Sequence, residues 1–121
     1  MIKFKSLNQS KEFLKILKKK RIITKYFTIY FDKSLKDQKG DFRNALNISF
    51  VIKKNAGNAV IRNKIKRKLK YAVQKISKRK QQIDLDYTYV IFGKNAVYKD
   101  KFVNIHNEVN VTFRKIKQTR S

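Results

Sequence analysis

Between Lys53 and Ile83 the chain carries twelve Lys or Arg residues and not one Asp or Glu, and six of the twelve fall within the nine positions Arg62 to Lys70. A segment this charged must run along a surface, because an unpaired buried charge costs far more than any packing returns. Only its apolar residues can be covered. Ile61, Ile65, Leu69, Ala72, Val73 and Ile76 fall within an arc of about 120° at 3.6 residues per turn, which predicts one long amphipathic helix from Asn58 to about Lys80. Arg62 and Lys66 border that arc, and Lys64, Arg67, Lys68, Lys75 and Lys78 lie across the exposed remainder. An ordinary solvated face would intersperse acids that pair with these cations at i,i+4, and this one has none.

The whole chain shares the bias: 32 Lys+Arg stand against 8 Asp+Glu, a formal charge of +24 over 121 residues. Such a field repels itself unless a polyanion neutralises it, so nucleic acid is the expected partner. A genome-wide preference for lysine accounts for part of this, since Lys outnumbers Arg 25 to 7. It explains neither the placement of the arginines nor the missing acids. An anionic membrane surface fits less well, because the basic segment lacks a bulky aromatic face to insert. No cysteine is present and the one histidine is His106, which excludes disulfides and thiolate metal sites and leaves no His-rich zinc set. There is no membrane-length apolar run and no secretory leader pattern, so the expectation is a cytoplasmic protein, one domain over residues 1–121.

Proline is absent and glycine occurs three times, so boundaries come from changes of period. Residues 8–19 read as a short helix with Ser10 or Asn8 as cap and Glu12 in its first turn. "ITKYFTIYFD" reads as a strand with Phe27, Ile29 and Phe31 on one face and Tyr26, Thr28 and Tyr30 on the other. After a polar connector holding Asp32, Asp37, Gly40 and Asp41, "NALNISFVIKK" alternates Leu46, Ile48, Phe50 and Ile52 against Asn47, Ser49 and Lys53. It is expected to pair antiparallel with the first strand if the connector is a hairpin. "DLDYTYVIFGKN" is a third strand, and residues 99–117, with Phe102, Ile105, Val109, Val111, Phe113 and Ile116, a final helix.

Ahead of the basic run, Gly57 lets the chain turn out of its strand and Asn58 can cap the helix, whose positive N-terminus could then receive a phosphate. Walker and GxGxxG patterns are missing, so nucleotide binding is not supported. Taken together, "GNAVIRNKIKRKLK", Gly57 to Lys70, resembles the RNR signature of the bacterial ribonuclease P protein component, where a Gly-x-Ala-Val-x-Arg-Asn-Arg-x-Lys-Arg run opens a long helix after a strand. "KEFLKIL", "KYFTIYF" and "DYTYVIFGKNA" resemble that family's first helix, first strand and the strand after the long helix. Lys64 and Lys70 stand where the family usually has Arg, Tyr71 where Glu is frequent, and "SFVIKKNAG" lacks the family's Gly and Ser near the strand's end. A lysine cannot make the planar bidentate contact of a guanidinium, so looser RNA contacts are expected at those two positions.

The resemblance implies an α/β (α+β) sandwich with a central mixed sheet and a left-handed βαβ crossover around the RNR helix. It also implies a ribonucleoprotein that removes the 5′ leader from precursor tRNA, with the catalytic groups and the required Mg²⁺ held by the RNA subunit. The protein then binds no cofactor of its own and supplies no catalytic residue. The scattered carboxylates and the isolated His106 agree with that. By the same resemblance Lys53, Lys54, Asn58, Arg62, Asn63, Lys64, Lys66, Arg67 and Lys70 would dock on the RNA subunit, while Phe13, Leu17, Thr28 and Tyr30 would line a cleft for the precursor's single-stranded leader. Core packing is the competing role for Phe13 and Leu17. The partners are thus the RNA subunit and precursor tRNA, no membrane is involved, and the protein alone is expected to be a monomer. A structural ribosomal-type RNA-binding protein would share the charge, size and lack of catalytic residues. A DNA-binding helix-turn-helix would need a helix where a strand precedes Gly57.

Overall fold

A computed structural model describes residues 3–5, 14–33, 45–78 and 83–118. Five strands form one mixed sheet: β1 (Lys3–Lys5), β2 (Lys20–Ile23), β3 (Phe27–Lys33), β4 (Ala45–Ile52) and β5 (Tyr87–Gly93). The helices are α1 (Ala59–Ser77), the single turn α2 (Ala96–Lys99) and α3 (Phe102–Gln118). The strand order is β1-β4-β5-β3-β2, with β1, β4 and β5 parallel and β5, β3 and β2 successively antiparallel.

Strand alternation follows the sequence pattern. Phe27, Ile29 and Phe31 sit opposite Gly93, Ile91 and Tyr89, which in turn pair with Ile52, Phe50 and Ile48. These residues make one apolar face, onto which α1 lays Ile65, Leu69, Ala72, Val73 and Ile76 and α3 lays Ile105, Val109, Phe113 and Ile116. Each such Val, Leu, Ile or Phe side chain removed from water contributes about 1.5–3 kcal/mol. Phe113 meets Tyr89 edge to face at 4.9 Å between centroids, and the Tyr89 hydroxyl donates to the Asp84 carbonyl at 2.6 Å. Burial pushes that phenol's pKa well above its ordinary value.

The expected hairpin between the first two predicted strands does not form. β4 runs antiparallel to β3 but is not its neighbour, because β5 occupies the place between them. The reason is burial: every β5 residue but Phe92 is buried, and a strand covered on both faces belongs at the centre of a sheet. β4, α1 and β5 therefore form a parallel βαβ unit. The N-terminal helix also differs from its expected extent. Residues 14–16 are helical and residues 17–19 turn, after which Lys20–Ile23 is an edge strand hidden from a helical reading by its Lys-Lys-Lys-Arg run. Residues 8–13 lie outside the described residues. Tyr26 precedes β3 and is buried with the helix-side core instead of sharing the Thr28 and Tyr30 face.

Gly93 ends β5 where α1 crosses the sheet. A Cβ there would lie 2.5 Å from Ile52 Cδ1, 2.8 Å from Leu69 Cδ1 and 2.9 Å from Ile65 Cγ2. Gly93→Ala is therefore expected to cost about 1–3 kcal/mol by overpacking, seen as a lower urea midpoint with an unchanged m value. An unshifted midpoint would show that the helix yields without cost.

Candidate nucleic-acid interface

The basic helix is delivered to the surface by a short series of local constraints. β4 runs into a 3-10 turn at Lys54–Ala56, and Gly57 reverses the chain at φ 147°. A side chain at Gly57 would be strained by that φ and would also meet Ile61 Cγ2 at 2.7 Å. Asn58 caps α1 as expected, its Oδ1 accepting the Ile61 N–H at 3.0 Å. From the far side of the sheet end, Asn95 Nδ2 donates to the Ala56 carbonyl at 2.6 Å and pins the turn.

The fold divides the cations of α1 into two flanks. Asn63, Lys66, Arg67 and Lys70 are exposed on the flank away from α3, and Arg62 is half-buried beside them. Its Nε is buried and has no hydrogen-bond partner among the described residues. The other flank turns towards α2 and α3. There Lys64 Nζ lies 5.8 Å from the Tyr98 ring centroid, and Lys75 Nζ lies 5.7 Å from that of Tyr71 and 5.6 Å from that of Phe102. Lys68, expected on the open face, is instead half-buried and donates to the carbonyls of Val97 at 3.0 Å, Tyr98 at 3.3 Å and Asp100 at 3.0 Å. Carbonyls left over at the end of the α2 turn carry partial negative charge, which is what draws an ammonium there.

Asp100 completes this joint. Its carboxylate accepts from the Tyr26 hydroxyl, from Asn104 Nδ2 at 2.8 Å and from the Lys101 N–H at 2.7 Å. These bonds, Tyr26 foremost, lower its pKa from 3.8 to about 2. The Tyr26 phenol is raised in turn, first by its bond to Asp100.

On the opposite sheet face, Thr28 and Tyr30 of β3 pair with Phe92 and Val90 of β5. Tyr30 and Phe92 are both half-buried and meet edge to face at 5.6 Å, above a floor in which Val90, Asn47, Ser49 and Thr88 are buried. Leu17 is half-buried; Phe13 lies outside the described residues. Lys53 and Lys54 are exposed, but Lys53 Nζ lies 5.5 Å from the Phe92 centroid. Lys53 thus belongs beside the Tyr30–Phe92 pair as much as with the helix. Phe92 is the residue that sequence reasoning missed. The signal was available in its alternation with Tyr87, Tyr89 and Ile91, and it became interpretable only once the register put Phe92 beside Tyr30's strand.

Among the described residues no group of three or more His, Cys, Asp or Glu side chains could hold a metal ion. Two carboxylates have structural work: Asp100 holds the joint, and Asp84 Oδ1 accepts the Asp86 N–H at 2.9 Å in the turn before β5. No described helix is long and apolar enough to cross a membrane.

A mixed sheet whose helix-covered face carries a cationic, Gly-initiated crossover helix defines a small α+β class, and solved structures share it. The chain superposes on a Staphylococcus aureus RNase P protein mutant with a TM-score of 0.71, 22% identity and coverage of 93% of this chain and 87% of that one. For the RNase P protein of Thermotoga maritima the values are 0.70, 19%, 89% and 96%. The ribonuclease P protein component of Mesoplasma florum is 31% identical over 107 residues, 88% of this chain and 89% of that protein. The family model described as Ribonuclease P matches residues 1–117. The chain belongs to the ribonuclease P protein family.

Asp100 carries a pH signature. Its folded pKa lies below its ordinary value, so it contributes stability that is complete above about pH 4 and is lost as pH falls through about 2. Asp100→Asn should be less stable at pH 7 and should lose less of its remaining stability between about pH 4 and pH 2, as urea midpoints measured across that window would show. Parallel curves for the two proteins would mean that Asp100 does not hold the joint.

Proposed function

We propose that this protein is the RNA-binding, non-catalytic subunit of a ribonuclease P particle, docking on the catalytic RNA through α1 and holding the 5′ leader of precursor tRNA on the Tyr30 face of the sheet. The observation that carries this reading is the outward flank of α1, where Arg62, Lys66 and Lys70 form one row and Asn63 and Arg67 the next, with no acid among them. Phosphates along a helical RNA backbone are the matching partner, and each ion released from them adds to the affinity. Arg62 adds geometry to charge. Its unpaired Nε leaves a donor unsatisfied, which is relieved when the guanidinium turns onto an external acceptor. Lys54 and Asn58 lie at the start of the same helix, Lys64 reaches the RNA from the flank beside Tyr98, and Lys53 reaches towards the leader side.

The leader side works by stacking. Tyr30 and Phe92 offer ring edges and faces that accept any unpaired base, while Thr28 and Lys53 supply a hydroxyl and a charge for the backbone. Phe13 and Leu17 are assigned to the same cleft. Cleavage chemistry, with its Mg²⁺, lies in the RNA in this reading, and the cations of the protein take over part of the screening that Mg²⁺ otherwise provides.

Two measurements test this. At low Mg²⁺ the protein should raise precursor cleavage by its RNA subunit and show no cleavage alone. Arg62→Ala should weaken binding to that RNA by about 1.5–3 kcal/mol, and Lys101→Ala, an exposed cation outside the motif, by much less. Cleavage at the mature 5′ end by RNA-free protein, or equal losses for the two variants, would refute the assignment; copurification with ribosomal RNA alone would favour a ribosomal role.

Tyr30→Ala should lower the affinity of the assembled particle for leader-bearing tRNA by roughly 1–3 kcal/mol while leaving mature tRNA binding and assembly nearly unchanged. A variant with a normal melting temperature and unaltered preference for leader-bearing tRNA would remove Tyr30 from the cleft.

A further inference from the structure

We infer that the inner flank of α1 forms, with α2 and the start of α3, a second RNA contact: a stacking surface for unpaired bases. This rests on the RNA-docking reading of α1 and extends it around the helix. Lys64, Lys68, Tyr71 and Lys75 follow one another at i, i+4, i+7 and i+11, a single stripe about 16 Å long. Lys68 is spent on the α2 carbonyls, but the rest of the stripe is open. Tyr71 is 54% exposed, Tyr98 beside Lys64 is 38% exposed and Val103 is 57% exposed.

These rings are held in place. Tyr71 meets Phe102 edge to face at 5.3 Å, Lys75 lies against both rings, and Lys64 lies against Tyr98. An exposed ring fixed by its neighbours loses little freedom when a base stacks on it, and ammonium groups beside it can meet the flanking phosphates. The nearby acids point elsewhere: Asp100 is engaged by Tyr26, Lys101 and Asn104, and Glu108 acts on Tyr26 from the other flank of α3. Rings with cations and, among the described residues, without free carboxylates beside them suit a nucleic acid better than a protein partner, and continuity with the outward flank places them on the same RNA. The bases are therefore those of the RNA subunit.

The test uses the full chain with Tyr71→Ala, Tyr71→Leu, Tyr71→Phe and Tyr98→Ala. Affinity for the RNA subunit alone is measured against salt, and affinity of the assembled particle is measured for tRNA with and without its leader. Tyr71→Ala and Tyr98→Ala should each weaken binding roughly ten-fold with the salt slope unchanged, since no charge is removed. Tyr71→Phe should bind like wild type, whereas Tyr71→Leu, apolar but without a π face, should not. Loss with the RNA subunit alone is the expected result; loss confined to leader-bearing tRNA overturns the assignment to that RNA. Normal binding of every variant in both arms, or full retention by Tyr71→Leu, overturns the stacking surface. If Arg62→Ala still loses affinity in that case, only this inference fails. If Arg62→Ala also binds normally, the reading of α1 fails with it.

Discussion

The bonds from Lys68 to the carbonyls of Val97, Tyr98 and Asp100 join the elements that the apolar core packs together. They tie the middle of α1 to the turn α2 from which α3 departs, and Asp100 carries the connection on to Tyr26 at the entrance to β3. The burial of Ile65, Leu69, Ala72, Val73 and Ile76 sets the rotation of α1 about its axis, and this one charge secures it. That rotation sets which cations face outwards. A lysine that looks like one more member of a charged run is thus held against the protein, while Lys66, Arg67 and Lys70 are exposed.

The two faces of the sheet then have separate tasks. The helix-covered face needs close approach, which Gly57 and Gly93 permit by having no Cβ where Ile61, Ile52, Leu69 and Ile65 crowd in. The other face keeps aromatic side chains half-buried, so that Tyr30 and Phe92 are supported by each other and still reach solvent. β5 connects the two, buried on nearly its whole length. A substitution in its centre therefore touches both faces of the sheet.

Much of this was legible in the residues. In the α1 arc Ile65, Leu69, Ala72, Val73 and Ile76 are buried and Ile61 half-buried, as the spacing requires, because an amphipathic helix has one way to hide its apolar side. The alternation of Phe27, Ile29 and Phe31 against Thr28 and Tyr30 was equally plain. The edge strand Lys20–Ile23 was not, since an edge needs little apolar content and its pairing with β3 supplies the order. The α2 turn escaped notice for a similar reason: four residues carry no period to detect.

What the sequence determined by itself was local. It set a helix with cations and no acids, a Gly-Asn start, strands with one apolar face, and a motif close enough to a known family to indicate the partner. Tertiary structure decided the rest: that β5 lies between β3 and β4, that Lys53 reaches Phe92, and that Lys64, Lys68 and Lys75 face protein groups while Lys66, Arg67 and Lys70 face outwards. The physical reason is that hydrophobic periodicity specifies which side of an element is buried and says nothing of which neighbour buries it. Strand order and helix rotation depend on contacts between residues far apart in the chain, and those contacts exist only once the chain has packed.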